Sequence, residues 1–128
     1  MPYRVLVVED SPTMRAFVAA SLESDGQFEV IQTASGFGAL QALPGGRFDV
    51  IVTDVNMPDI NGLELIKFVR GNAAYVRTPL IIISTEGRER DRDRGLLLGA
   101  NAYLVKPFAP EELLEIVRRL AAGAPGAG

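Results

Sequence analysis

Val5-Leu6-Val7-Val8-Glu9-Asp10-Ser11-Pro12 begins with four consecutive apolar residues, three of them β-branched, and closes on two acids and a helix-starting pair. A continuous apolar run of that length, with no alternation, predicts a strand covered on both faces, as in a parallel sheet. The period then changes. Ser11 and Pro12 suit the N-cap and first position of a helix, and Met14, Phe17, Val18 and Leu22 recur at helical spacing until Gly26.

The same strand-then-helix unit repeats along the chain. Phe28 to Ile31, followed by Gln32, predicts a second strand with one wetter face, near a sheet edge, and a short helix over Gly38 to Leu43 stops at Pro44-Gly45-Gly46. Val50-Ile51-Val52-Thr53 predicts a third strand ending on Asp54, and Leu65, Ile66 and Val69 stripe a helix from Gly62 to Arg70. Leu80 to Ile83, after Pro79, predicts a fourth strand ending on Ser84, with a charged helix from Arg88 to Leu98. Ala102 to Val105 predicts a fifth, ending on Lys106-Pro107. The last helix has Pro110 in its first turn, Glu111 and Glu112 at its positive end, Arg118 and Arg119 at its negative end, and Leu113, Ile116, Val117 and Leu120 as its stripe.

Five such units make an α/β fold of the (βα)5, flavodoxin-like kind: a doubly wound, five-stranded parallel sheet in the order 2-1-3-4-5, with right-handed crossovers and helices on both faces. A chain of 128 residues forms one domain. Residues 1–121 constitute it, and 122–128, only Ala, Gly and Pro, are expected to be a flexible tail.

Composition narrows the chemistry. The chain is 48% hydrophobic and 23% charged with a net charge of −3, so it lacks the basic balance of a nucleic-acid binder. Without cysteine or histidine there is no thiolate nucleophile, no zinc-thiolate site and no imidazole base. The four-residue run near the N-terminus is too short for a signal sequence or a membrane span, so a cytoplasmic location is expected.

Strands of one parallel sheet all end on the same side, so Glu9, Asp10, Asp54, Ser84 and Lys106 are predicted to meet at one rim. The order 2-1-3-4-5 makes strands 1 and 3 neighbours at the topological switch point, where such folds bind ligands. Three carboxylates there need a cation, and Mg²⁺ fits: it prefers oxygen, takes one or two carboxylates and leaves positions for water and phosphate. Asp10 and Asp54 are the expected direct ligands, with Glu9 acting through water. Asp54, central on the rim, is the expected nucleophile, because carboxylates form acyl phosphates. Mg²⁺ and Lys106 would supply positive charge and Ser84 a hydroxyl donor.

Each of these residues also has an ordinary structural use. Asp10 or Ser11 can simply cap the helix, Ser84 and Lys106 can serve turns, and Tyr103 can be packing alone. The charge run Arg88 to Arg94 reads as a solvated helix face with pairs such as Glu89 with Arg92.

Taken together, Val8-Glu9-Asp10-Ser11, Thr53-Asp54-Val55-Asn56-Met57-Pro58 with Gly62, Ile83-Ser84, and Gly99 through Phe108 around Lys106-Pro107 resemble the receiver domain of bacterial two-component response regulators. Among these the chain is similar to the stand-alone, CheY-like chemotaxis receiver. The resemblance runs from about Tyr3 to Ala121, and the separations of 44, 30 and 22 residues between Asp10, Asp54, Ser84 and Lys106 suit it.

The resemblance implies a phosphorylation-controlled switch rather than an enzyme acting on a separate substrate. Asp54 would accept a phosphoryl group from a histidine kinase's phosphohistidine, with Mg²⁺ on Asp10, Asp54 and the backbone carbonyl of Asn56. Lys106 would contact the phosphoryl group, its bond to Pro107 would be cis, and Ser84 and Tyr103 would be switch residues. The face made by helix 4, strand 5 and helix 5 would bind a downstream protein, and the chain would be a monomer or weak dimer. Asn56, Glu86 and Thr85 would tune access and lifetime, with Thr85 a departure from the small residue often found there.

Three other readings fit less well. A receiver-like docking module acting without phosphorylation would be expected to have lost an acid or the lysine, and neither is lost. An aspartyl phosphatase would typically carry a second Asp two residues after the first, where Asn56 stands. A flavodoxin's phosphate loop would be rich in hydroxyls rather than acidic.

Overall fold

A computed structural model of the chain describes residues 2–24, 26–57, 59–84 and 89–127, the backbone alone at 89–91 and 124–127. Its elements alternate strictly: β1 (Tyr3–Val8), α1 (Pro12–Glu23), β2 (Phe28–Thr33), α2 (Gly36–Ala42), β3 (Val50–Asp54), α3 (Gly62–Arg70), β4 (Leu80–Ser84), α4 (Glu89–Leu98), β5 (Ala102–Val105) and α5 (Pro110–Ala127). The strands form one parallel sheet in the order β2-β1-β3-β4-β5. The expected fold is the observed one, with wetter β2 at an edge.

Continuous apolar strands arise because the sheet is covered on both sides. Along β1, Val5 and Val7 join a core with Val18, Leu22, Leu113 and Val117 of α1 and α5. Leu6 and Val8 point the other way, into a core with Ala39, Leu65, Ile66 and Val69 of α2 and α3. β3 and β4 divide in the same manner: Val52, Ile81 and Ile83 face one layer, and Ile51, Leu80 and Ile82 the other.

Two helices differ from their sequence-based bounds. α2 begins at Gly36 rather than Gly38, capped by Ser35, whose side chain accepts the Gly38 N–H, and a 3-10 turn at Leu43–Gly45 follows it at the expected breaker. Asp59, from the distant β3–α3 loop, accepts the N–H groups of Gly36 and Phe37, and this tertiary partner makes the earlier start possible. α5 runs on to Ala127, so 122–127 continue the helix where a flexible tail was expected. The buried stripe ends at Ala121; past it Ala122 and Ala124 favour helix while Gly123, Pro125 and Gly126 oppose it, so local propensity does not account for the extension.

Candidate functional site

Strand register brings the site together. Val8 of β1 pairs with Thr53 of β3, so Glu9 and Asp54 come next on adjacent strands. Asp54 pairs with Ile83 of β4, which puts Ser84 one step further along the same rim. The Lys106 N–H donates to the Ser84 carbonyl at 2.7 Å and brings the lysine in from β5. The Lys106-Pro107 peptide is cis, as the resemblance implies.

Glu9, Asp54, Ser84 and Lys106 are all buried, while Asp10 faces solvent. Lys106 Nζ donates to Glu9 Oε1 at 2.8 Å and lies 3.5 Å from Asp54 Oδ2. The second Glu9 oxygen accepts the Ser11 N–H at 3.1 Å. Glu9 therefore accepts a hydrogen bond on each of its oxygens. Ser11 also does the plain work of an N-cap, accepting the Met14 N–H.

Glu9, Asp10 and Asp54 each offer an oxygen, all within 4.8 Å of one another. Three negative charges against the one positive charge of Lys106 leave a residual of −2. At such separations each like-charge pair repels by on the order of 3 kcal/mol at an effective dielectric of about 20, and less at exposed Asp10, where water screens it. An all-oxygen donor set with surplus negative charge fits a hard divalent cation such as Mg²⁺.

The segment after Asp54 is held against it by a glycine. A side chain at Gly62 would collide with the Asp54 carbonyl oxygen and lie 3.0 Å from Val55 Cα. Its absence lets the Gly62 N–H donate to the Val55 carbonyl at 2.9 Å, so α3 starts directly behind the rim. Asn61 caps α3, its side chain accepting the Glu64 N–H and the Glu64 carboxylate accepting the Asn61 N–H. Asn56 is exposed, and its N–H makes a long 3.4 Å contact to Asp54 Oδ1.

Tyr103 is half-buried, packed against the core layer of α2 and α3. Thr85, Glu86, Pro58 and Arg88 lie outside the described residues. Two functional candidates escape sequence reasoning. Arg15 donates to the Glu9 carbonyl at 2.9 Å and pins the acidic loop, yet in sequence it looks like any cation on a helix. Asp59 binds two N–H groups of α2 from 22 and 23 residues away, and no local pattern announces that.

Comparison with known proteins agrees with this geometry. Residues 5–118 match the response regulator receiver domain. The chain is 39% identical over 113 residues to the chemotaxis protein CheY1 of Helicobacter pylori, covering 88% of this chain and 91% of that protein. The chemotaxis response regulator CheY4 of Vibrio cholerae superposes with a TM-score of 0.86 at 40% identity, covering 94% of this chain and 99% of that one. The receiver domain of the sensor histidine kinase PA1611 of Pseudomonas aeruginosa, described with a magnesium ion coordinated in its active-site cleft, superposes with a TM-score of 0.86 at 30% identity, covering 95% and 99%. A shared strand order, an acid cluster facing a lysine and a match over nearly the whole length lead to one assignment: the chain belongs to the response regulator receiver domains, signalling modules governed by phosphorylation.

Proposed function

We propose that this chain is a signalling switch in which Asp54 accepts a phosphoryl group from the phosphohistidine of a histidine kinase. The observation that carries the reading is the Lys106 ammonium within 3.5 Å of Asp54, in a rim cluster with Glu9 and Asp10. An Asp54 oxygen attacks phosphorus and a P–O bond forms. The P–N bond to the donor imidazole breaks, its electron pair stays on the nitrogen, and solvent supplies the proton that nitrogen takes up.

Asp10, Asp54 and the Asn56 carbonyl would hold Mg²⁺, with Glu9 acting through water; the magnesium described in the PA1611 receiver domain supports this. When bound, the cation supplies neutralisation of the phosphoryl oxygens. Lys106 contributes the second positive charge, held in place by Glu9, which the Ser11 N–H fixes in turn. Ser84, next to the Asp54 partner Ile83, offers its hydroxyl to the new phosphoryl oxygens, and Tyr103 changes rotamer behind it. Asn56, Thr85 and Glu86 tune water access and the lifetime of the aspartyl phosphate. The chain promotes only its own phosphorylation and dephosphorylation.

Output is a population shift on the face of α4, β5 and α5, to which a downstream protein binds. Apolar side chains exposed there support it: Leu97 is 89% exposed and Val105 39%. We place the chain in the cytoplasm as a monomer or weak dimer, its receiver unit spanning 1–121, with no nucleic-acid partner. The experiment is amide NMR with Mg²⁺ and beryllofluoride, a stable phosphoryl mimic. Shifts at Tyr103, Val105 and α4 are expected. Shifts confined to the acidic rim would favour a docking face that works without phosphorylation.

A further inference from the structure

The N-terminal ends of β3 and β4, at the pole of the sheet opposite Asp54 and Ser84, border a pocket of about 580 Å³ between the α2–β3 and α3–β4 connections. Leu43 and Phe48 from one connection and Tyr75 and Val76 from the other give it apolar walls. Both walls are tied down. The Arg4 guanidinium lies 4.6 Å from the centre of the Phe48 ring and donates to the Arg47 carbonyl at 3.2 Å, while the Arg4 carbonyl accepts the Asp49 N–H at 2.7 Å. On the other connection, Arg70 donates to the carbonyls of Val76 and Thr78 at 3.2 and 2.7 Å, and the Phe68 and Tyr75 rings pack with centroids 6.4 Å apart. A preformed concave site of this volume, mainly apolar with a few polar groups, has the character of a small-molecule pocket.

Charge decides the class of ligand. Arg47 and Arg77 both line the pocket and are exposed, and among the described residues neither side chain has an ion-pair partner. Arg4, by contrast, lies 3.4 Å from Glu29, and Arg70 is engaged by carbonyls and the Asn101 side chain. The acid in the lining, Asp49, already accepts the Arg4 N–H at 2.8 Å. Two guanidiniums against one carboxylate leave the lining positive in a chain of net charge −3. We propose that this pocket binds a small amphipathic anion: a planar aromatic body against Phe48 and Tyr75, with its carboxylate taken by Arg47 and Arg77. Aromatic walls suit the flat body, and the planar guanidinium fork suits a carboxylate. A cationic or purely apolar ligand would leave both arginines unanswered. Nothing in this site depends on phosphorylation at Asp54.

The test is titration of the ¹⁵N-labelled full chain with sodium 1-naphthoate. Saturable shifts are expected at the amides of Arg47, Phe48, Tyr75 and Arg77, with a Kd of about 1 mM or tighter. Naphthalen-1-ylmethylammonium, the same ring system with the opposite charge, should bind at least about tenfold more weakly, and acetate should shift nothing there. The Arg47→Ala, Arg77→Ala double variant, altered only at exposed side chains, should keep its fold and lose about tenfold in naphthoate affinity. No saturable response, equal affinity for the cation, or unchanged affinity in the double variant overturns the proposal. So does a naphthoate response spread equally over α4 and β5, the mark of general adhesion to apolar surface. Movement of the pocket amides with protein concentration alone would mean that a second copy covers the site, and overturns it too.

Discussion

Lys106 Nζ meets Glu9 Oε1 at 2.8 Å, with both side chains buried and the two residues 97 positions apart in the chain. The pair joins the first strand's end to the last strand's end and holds the ammonium at Asp54. Removing one partner of a buried ion pair strands the other charge, which typically costs 3–5 kcal/mol. Lys106→Ala is therefore expected to lose about 3 kcal/mol, at the low end because Glu9 keeps the Ser11 N–H. Urea denaturation in EDTA measures it, and an unchanged midpoint would mean the pair holds nothing together.

Gly62→Ala tests the close approach behind Asp54. A methyl group would collide with the Asp54 carbonyl, and backbone is a poor neighbour to displace. Such overpacking costs about 2 kcal/mol. Thermal unfolding should show that loss, and phosphorylation at Asp54 should slow with it, because the acceptor's own peptide must shift.

Mg²⁺ that binds only the folded chain stabilises it by mass action. At free Mg²⁺ about 100 times Kd the gain is about 2.7 kcal/mol. For a domain of this size that raises Tm by on the order of 10 °C. Chelation with EDTA should reverse the rise and Asp10→Asn should diminish it, since Asp10 supplies one of the three clustered oxygens. A Tm indifferent to Mg²⁺ in the wild type would speak against the cation site.

The clamp between Asp59 and α2 has a definite pH dependence. The Phe37 N–H first, then those of Ile60 and Gly36, lower the Asp59 pKa below the ordinary 3.8. A lowered folded pKa means the clamp's contribution is fully present above the unfolded value and is lost as pH falls through the folded one. Carboxyl carbon NMR should place the Asp59 midpoint below 3.8, with the Gly36 and Phe37 amides moving at the same pH. A midpoint above 3.8 would contradict the bidentate contact.

Much of this was legible in the sequence because parallel strands buried on both faces cannot hide: Val5 to Val8, Val50 to Val52 and Leu80 to Ile83 announce themselves as unbroken apolar runs. Once they are ordered, the rim residues follow, since each stands within two residues of the end of a buried apolar run. What stayed illegible depends on contacts between distant segments. The start of α2 depends on Asp59, and the fixing of Glu9 depends on Arg15 and Lys106. The run of α5 to Ala127 has no sequence signal: its stripe marks where burial ends, and Gly123, Pro125 and Gly126 beyond it are poor helix formers.

Phosphorylation at Asp54 is the claim on which the rest depends, and intact mass after incubation with Mg²⁺ and acetyl phosphate tests it most directly. The wild type should gain one phosphoryl group, and neither Asp54→Ala nor the wild type in EDTA should gain any. No adduct on the wild type, together with no response to beryllofluoride, would contradict the account, as would an equal adduct on Asp54→Ala.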